Sequence, residues 1–416
     1  MCWKTFPSKI YVFLLDQQTF VCYSLVNDEQ QIGGENDIMN MYKSYQFRLY
    51  PDKQQIIQIQ KTFGCTRLVY NHYLEKSKKA NLTCFDMIKD LPNLYQKYPF
   101  LKEVDSCSLR CSLFDLDDAF KRYFNKQNNY PKFKGKYGSK RSYRTNYITS
   151  TYKERKYENI KVDLKRNVIT LPKLKEVKIK GYRTLEILPG RIINVTVNQL
   201  ASGKYYVSVL VEENHIAPKI IPRKIVGIDL GIKDVVITSD GEKVKNEKII
   251  EKYEKRIKRK QRELARREKG SSNYYKTKKK LAIFYQKLKN ARKYFLHKLT
   301  KKLVLENDII VSETLRVKSL IEKKKLSKQL SDVSLSKICN LLKYKANYYG
   351  KRYIQIDPYY PSSQECSRCG YKNEKVKDLT VRDWICPECG SYHDRDINAS
   401  QNILFEGIKK YTKELI

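Results

Sequence analysis

The chain has 416 residues, and 84 lysines and arginines against 45 aspartates and glutamates leave a formal net charge of +39. Apolar residues make up 41% of it, enough to build cores, which excludes a wholly disordered basic tail. No run reaches the roughly 18–20 apolar residues of a membrane span. At about 150 residues per domain the length suggests two or three domains. A positive surplus this large on a folding chain calls for a polyanionic partner, with nucleic acid ahead of an anionic membrane surface.

Residues 1–40 show no clear periodicity. The apolar stretch 10–26 is broken by Asp16, Gln17 and Gln18 and lacks a small-residue cleavage site, so neither secretion nor membrane insertion is expected. Residues 42–50 alternate as a strand and stop at Pro51. From Asp52 to about Phe124 the periods are helical. Leu109, Leu113, Leu116 and Phe120 share one helix face, and Ser106 and Arg110, four apart, share another. Residues 121–183 then hold 20 basic and 4 acidic residues, with tyrosines at Tyr123, Tyr130, Tyr137, Tyr143, Tyr147, Tyr152, Tyr157 and Tyr182. Short β-like runs follow at Val168–Leu171, 192–197 and 205–211. Such a region suits a surface that tracks a nucleic-acid backbone and stacks bases; an ordinary solvated barrel surface is the alternative.

Pro222 closes that block. Ile225–Asp229 reads as a buried strand, 235–238 as its neighbour, and Asp240-Gly241 as a hairpin turn. Residues 251–302 are helix formers with 21 basic and 4 acidic residues, interrupted at Gly270-Ser-Ser-Asn273; that pattern predicts a helical hairpin with a positive surface. Ile309–Glu313 is another buried strand, followed by a helix at 334–349 and a strand at 352–357. Near the end, Asp394-Arg-Asp396 opens a helix-like run over 397–404.

Two of these apolar strands end in a carboxylate, Asp229 and Glu313, and the acids at 394 and 396 start a helix. Carboxylates gathered beside a sheet tolerate one another only with cations between them. Two magnesium ions held so can serve phosphodiester hydrolysis. The eleven cysteines divide differently. Seven are scattered, which argues against a disulfide framework and for a reducing, intracellular compartment. Cys366, Cys369, Cys386 and Cys389 form two Cys-x-x-Cys pairs sixteen residues apart, each followed by a glycine. This is the spacing of one structural zinc, since four thiolates leave no open position for catalysis. His393, just beyond, reads as structural or incidental.

Taken together, Ile225-Val-Gly-Ile-Asp-Leu-Gly-Ile-Lys-Asp234, the segment 309–317, the cysteine pairs and His393-Asp-Arg-Asp-Ile-Asn-Ala399 resemble the split RuvC nuclease of the TnpB family. These are transposon-encoded RNA-guided DNA nucleases of OrfB type, related to type V CRISPR effectors. The likeness runs through Phe47-Arg-Leu-Tyr-Pro51, 63–74 with its Val-Tyr-Asn-His core, Tyr130-Pro-Lys-Phe-Lys134, Ser142-Tyr-Arg-Thr145, Tyr294-Phe-Leu-His-Lys-Leu299 and Pro361-Ser-Ser363, and so covers about 42–407. It implies a multidomain α/β and β chain. An N-terminal extension (1–41) would precede an OB-like wedge barrel (42–50 and 126–222) interrupted by a helical recognition domain (51–125). An RNase H-like RuvC domain (223–365 and 393–416) would follow, with a zinc ribbon (366–392) inserted.

The resemblance further implies a guide RNA derived from the transposon end, a target DNA, and a short adjacent DNA motif read by the protein. The catalytic, magnesium-holding acids would be Asp229, Glu313 and Asp396, with Asp394 as competitor for the third place. Ser106 and Arg110 would face the adjacent motif. Ser312 and Thr314 depart from the family where an acid often follows the Glu. Residues 1–40 lack a counterpart, so Met39 or Met41 is an alternative start and a lineage-specific addition the other reading. A guide-dependent repressor and a transposase acting directly on transposon ends remain as alternative functions.

Overall fold

The computed structural model describes residues 10–16, 19–24, 39–136, 140–152, 155–181, 186–218, 220–314, 334–378 and 380–415. It divides into two compact units, one running to His215 and the other from Ile216, with Leu15 and Asp16 grouped with the second.

The first unit opens with β1 (Ile10–Asp16), β2 (Thr19–Ser24) and β3 (Met39–Tyr50). The first two strands lie where the sequence shows no usable period, because nearly unbroken apolar runs hide the alternation. Asp16 ends β1, and β2 pairs antiparallel with β3 from Thr19–Tyr45 to Cys22–Tyr42. Next come α1 (Lys53–Lys76), α2 (Cys84–Lys97) and α3 (Ser106–Phe124). Helix α1 starts where Asp52 accepts from the Gln55 N–H at 2.8 Å while the Gln55 side chain accepts from the Asp52 N–H, a reciprocal cap right after Pro51.

The remaining strands are β4 (Arg141–Asn146), β5 (Thr149–Tyr152), β6 (Arg155–Glu158), β7 (Lys161–Asp163), β8 (Val168–Leu171), β9 (Lys175–Lys180), β10 (Arg191–Gln199) and β11 (Tyr205–His215). They build a sheet in the order β4-β10-β11-β3-β9-β8-β7, with β5 and β6 a separate hairpin. The alternating residues Tyr45, Phe47 and Leu49 of β3 pack with Val207, Val209 and Val211 of β11 in one core. Leu109, Leu113 and Leu116 of α3 are fully buried in a second, helical core with Val69, Tyr73 and Leu74 of α1.

The second unit contains β12 (Ile225–Asp229), β13 (Asp234–Thr238), β14 (Lys243–Lys245), α4 (Ile249–Ala265), α5 (Ser272–Glu306), β15 (Ile309–Glu313), α6 (Leu335–Tyr348), β16 (Arg352–Ile356), β17 (Asp383–Ile385), β18 (Tyr392–Asp394) and α7 (Arg395–Leu415). Its sheet runs β14-β13-β12-β15-β16. Strands β12, β15 and β16 are parallel, whereas β13 pairs antiparallel with both β12 and β14. Gly241 makes the β13–β14 turn at φ +89° and donates its N–H to the Thr238 carbonyl, a conformation open to glycine. Helices α4 and α5 form the basic hairpin, reversing at 266–271. None of the described helices is long and apolar enough to cross a membrane.

Helix α7 lies directly on this sheet. A Cβ added to Gly227 of β12 would sit 2.2 Å from the Ser400 carbonyl oxygen and 2.7 Å from the Leu404 nitrogen. One added to Gly407 would sit 2.3 Å from a Val311 methyl. The helix can approach only because both positions lack a side chain. We therefore expect Gly227→Ala to cost about 1–3 kcal/mol or more through overpacking. Thermal unfolding checks this: a lowered midpoint is expected, and an unchanged one would show that the contact yields freely.

Candidate active site

Strands β12 and β15 are parallel neighbours with Ile228 opposite Ser312. Their terminal residues, Asp229 and Glu313, therefore reach the same end of the sheet side by side. The first turn of α7 brings Asp396 to the same place. The proximity is felt electrostatically. Burial pushes the Asp229 carboxyl up to about 7, and the negative charges of Glu313 and then Asp396 push in the same direction. Glu313 is also raised by burial, opposed by a short hydrogen bond donated by the Ser362 hydroxyl.

Asp394 has a different occupation. One of its oxygens accepts the Asp396 and Ile397 N–H groups at 3.1 and 3.0 Å, and the other meets Lys243 Nζ at 2.5 Å. It caps α7 and closes an ion pair, which holds its carboxyl below the ordinary range despite burial. Among the described residues, Asp396 instead pairs with Arg382 at 3.6 Å. The flanks of Glu313 are structural. The Ser312 hydroxyl shares a hydrogen bond with the Tyr353 hydroxyl, and Thr314 donates to the Ile356 carbonyl.

Two contributors escaped the sequence reading. Ser362 lies in Pro361-Ser-Ser363, a segment noticed without a role, and its backbone is itself held by α7, since Asn402 Nδ2 donates to the Ser362 and Glu365 carbonyls at 2.8 and 2.7 Å. Lys243, on β14, gave no signal in sequence because its partner lies 151 residues away.

The four cysteines form the one group of three or more potential metal-ligating side chains with closely gathered donor atoms among the described residues, all within 4.8 Å of one another. Cys366–Cys389 and Cys369–Cys386 are each 3.6 Å apart. A tetrahedron with zinc–sulfur bonds of about 2.3 Å has edges of about 3.8 Å, so the cluster fits that ion. The two pairs are built alike: Gly370 and Gly390 adopt φ +79° and +71° and donate to the carbonyls of Cys366 and Cys386. His393 is buried, its Nε2 3.0 Å from Cys366 Sγ and its ring against Trp384. Asn398 of α7 accepts the Ser367 N–H inside the first pair, so the cluster is tied to the helix that carries Asp396.

In the first unit, Ser106 and Arg110 are both exposed on α3. Tyr143, counted above among stacking positions, is instead 6% exposed in the sheet core against Phe63. Tyr123, Tyr130 and Tyr157 are exposed, whereas Tyr137, Tyr182 and the side chain of Tyr152 fall outside the described residues.

Sequence profiles described as "Probable transposase", "Cas12f1-like, TNB domain" and "Helix-turn-helix domain" match residues 208–324, 336–403 and 39–81. A Streptomyces pristinaespiralis protein named "Putative RNA-guided DNA endonuclease" is 34% identical over 375 residues, covering 88% of this chain and 89% of the relative. Escherichia coli K12 has a relative of similar name, InsQ, 27% identical over 400 residues, 89% of this chain and 93% of that one. A solved Cas12f1–sgRNA–target DNA complex aligns over 87% of this chain and 98% of that one at 16% identity, with a TM-score of 0.34.

The raised carboxyl sets a pH dependence. Between its ordinary value of 3.8 and about 7, folded Asp229 keeps a proton that the unfolded chain has released. Its contribution to stability therefore falls as pH rises through that window and levels off above it. In magnesium-free buffer, we expect the unfolding midpoint to drop from pH 5 to 7.5 less steeply for Asp229→Asn than for the parent chain. Equal slopes would contradict the assigned burial and repulsion.

Proposed function

Because this chain belongs to the TnpB family of RNA-guided DNA endonucleases, we propose that it cuts DNA beside a short adjacent motif at a centre made of Asp229, Glu313 and Asp396. The observation that carries the proposal is the convergence of the three acids at one end of a sheet, where the charges of Glu313 and Asp396 add to burial in raising the Asp229 carboxyl, in a protein whose formal charge is +39. A polyanion gains nothing by approaching a negative cluster unless cations stand between them. Carboxylate oxygens are the hard donors that suit magnesium, and we assign two such ions to these side chains. When bound, magnesium supplies the positive charge that phosphodiester displacement needs at its attacking and leaving oxygens.

The chain's own residues hold that centre in shape. Ser362 fixes the Glu313 carboxylate through its hydroxyl. The Asp394 cap and its pair with Lys243 fix the first turn of α7 and hence the position of Asp396. We read the second unit as the RNase H-like RuvC domain with the zinc ribbon (366–392) ahead of α7, and one zinc in the cysteine cluster as structural. The first unit is read as the OB-like wedge with the helices at 51–125 as the recognition domain, and exposed Ser106 and Arg110 as the residues facing the adjacent motif. Guide RNA and target DNA are the partners, with the basic hairpin α4–α5 supplying phosphate-neutralising charge. Unpaired thiols throughout the described residues fit a reducing, intracellular compartment.

The test is cleavage of a matched duplex in magnesium, with the co-purified RNA present or digested. We expect cutting only with RNA, and loss of cutting by at least a hundredfold in Asp229→Ala with RNA and target binding retained. Cutting without RNA would favour a transposase acting directly on DNA. Binding without any cutting by the parent chain would favour a repressor.

A further inference from the structure

Three short motifs that the sequence reading singled out, and that the nuclease centre does not use, meet in the first unit. Residues of α1, α3, the Lys134-Gly135 segment and β4 line a pocket of about 240 Å³. That is room for several water-sized groups at about 30 Å³ each. Its walls carry Arg67, Lys134, Lys140, Arg141 and Arg144 against a single acid, Asp115. Asp115 is spent on Arg144 at 2.9 Å, and Arg141 is engaged by Gln199 at 3.0 Å. Among the described residues, Arg67, Lys134 and Lys140 have no carboxylate within ion-pair distance. Four surplus positive charges around so small a space exclude a cation as occupant.

The cations are placed rather than loosely displayed. Asn71 grips the Lys134 backbone from both sides: the Lys134 N–H donates to Asn71 Oδ1 at 2.8 Å, and Asn71 Nδ2 donates to the Lys134 carbonyl at 3.0 Å. The Lys134 ammonium lies 3.5 Å from the centroid of the Tyr70 ring, a cation–π contact that holds it at the pocket wall. Burial pushes Lys134 below the ordinary lysine range, a cost that a bound anion would reverse. Arg144 keeps its Nε buried with no hydrogen-bond acceptor among the described residues, a desolvated donor that an arriving acceptor would satisfy. The lining also includes the buried rings of Phe63 and Tyr143. Thr66, Ser108 and Ser112 are buried there, with hydroxyls turned back onto their own helices.

We propose that this pocket binds a single backbone phosphate of a nucleic acid, held by Arg67, Lys134 and Arg144. The guanidinium forks match phosphate oxygens two at a time, and the lysine adds a point charge. The ligand chemistry is a phosphodiester, carried by either the guide RNA or the target duplex. This rests on the nuclease reading for the presence of nucleic acid, but not on the acids of the second unit. The pocket uses Ser108, Ser112 and Asp115 of α3, residues other than the exposed Ser106 and Arg110.

The experiment measures affinity against salt for the full chain in two arms: the apo-protein with its co-purified RNA, and the RNA-loaded protein with its target duplex. One lost phosphate contact lowers the slope of log K against log salt by about 0.7 for a single strand and about 0.9 for duplex DNA. We expect Lys134→Gln and Arg67→Gln each to lower it by that amount in one arm, with affinity down several-fold, and the arm affected identifies the source of the phosphate. Arg67→Gln guards against a folding defect at Lys134, and thermal unfolding of both variants accompanies the titrations. The exposed Lys102→Gln serves as the control. Slopes unchanged by both substitutions in both arms would overturn the proposal, as would an equal change in the control, which would mark a bulk charge effect. A parent chain that binds neither nucleic acid would overturn the nuclease reading together with the pocket.

Discussion

The second unit depends on how closely α7 lies against its sheet. At Gly227 the helix backbone passes where any Cβ would collide with Ser400, and at Gly407 the sheet's Val311 fills the space a side chain would take. That approach fixes the height of the helix above the β12 and β15 strand ends. It also brings Asn398 and Asn402, one turn apart, over the loop at 362–367, where they accept from Ser367 and donate to the Ser362 and Glu365 carbonyls. Ser362 in turn holds Glu313. One packing contact thus sets both the helix that bears Asp396 and the hydroxyl that orients Glu313.

The same helix explains the position of the cysteine cluster. The segment between β16 and α7 is short of apolar material, with Val376 and Trp384 as the main buried side chains beside Cys366 and Cys386. A core this small does not hold itself together without a metal. Its attachment through Asn398 means that loosening the cluster loosens the start of α7, where Asp394 and Lys243 close their pair. The cysteine cluster and the candidate nuclease centre are therefore tied to the same helix.

Much of this was legible in sequence where the signal was local. The apolar strands ending at Asp229 and Glu313 announce themselves by composition, and the cysteine pairs by spacing and their glycines. The stripe of Leu109, Leu113 and Leu116 declares a buried helix face. What escaped depends on partners far apart in the chain. Lys243 gains meaning only beside Asp394; the resemblance favours Asp396 over Asp394, and the cap and the ion pair of Asp394 add a physical difference that sequence does not show. Tyr143 looks like any tyrosine of a basic region until β4 turns it onto Phe63. Strands β1 and β2 were missed for another reason: when both faces of a strand are apolar, the two-residue period disappears.

Charge unites the two units in kind. Against a net charge of +39, acids such as Asp52 and Asp105 cap helices, others pair with lysine or arginine, and Asp229, Glu313 and Asp396 gather at the β12–β15 strand ends. The central claim is that this gathering is an ion-binding centre in which Asp396, rather than Asp394, is the third ligand. Manganese titration of the RNA-free protein, followed by electron paramagnetic resonance, tests it most directly. The account predicts two bound ions in the parent chain, loss of at least one in Asp396→Asn, and retention of both in Asp394→Asn. Retention in Asp396→Asn with loss in Asp394→Asn would contradict it.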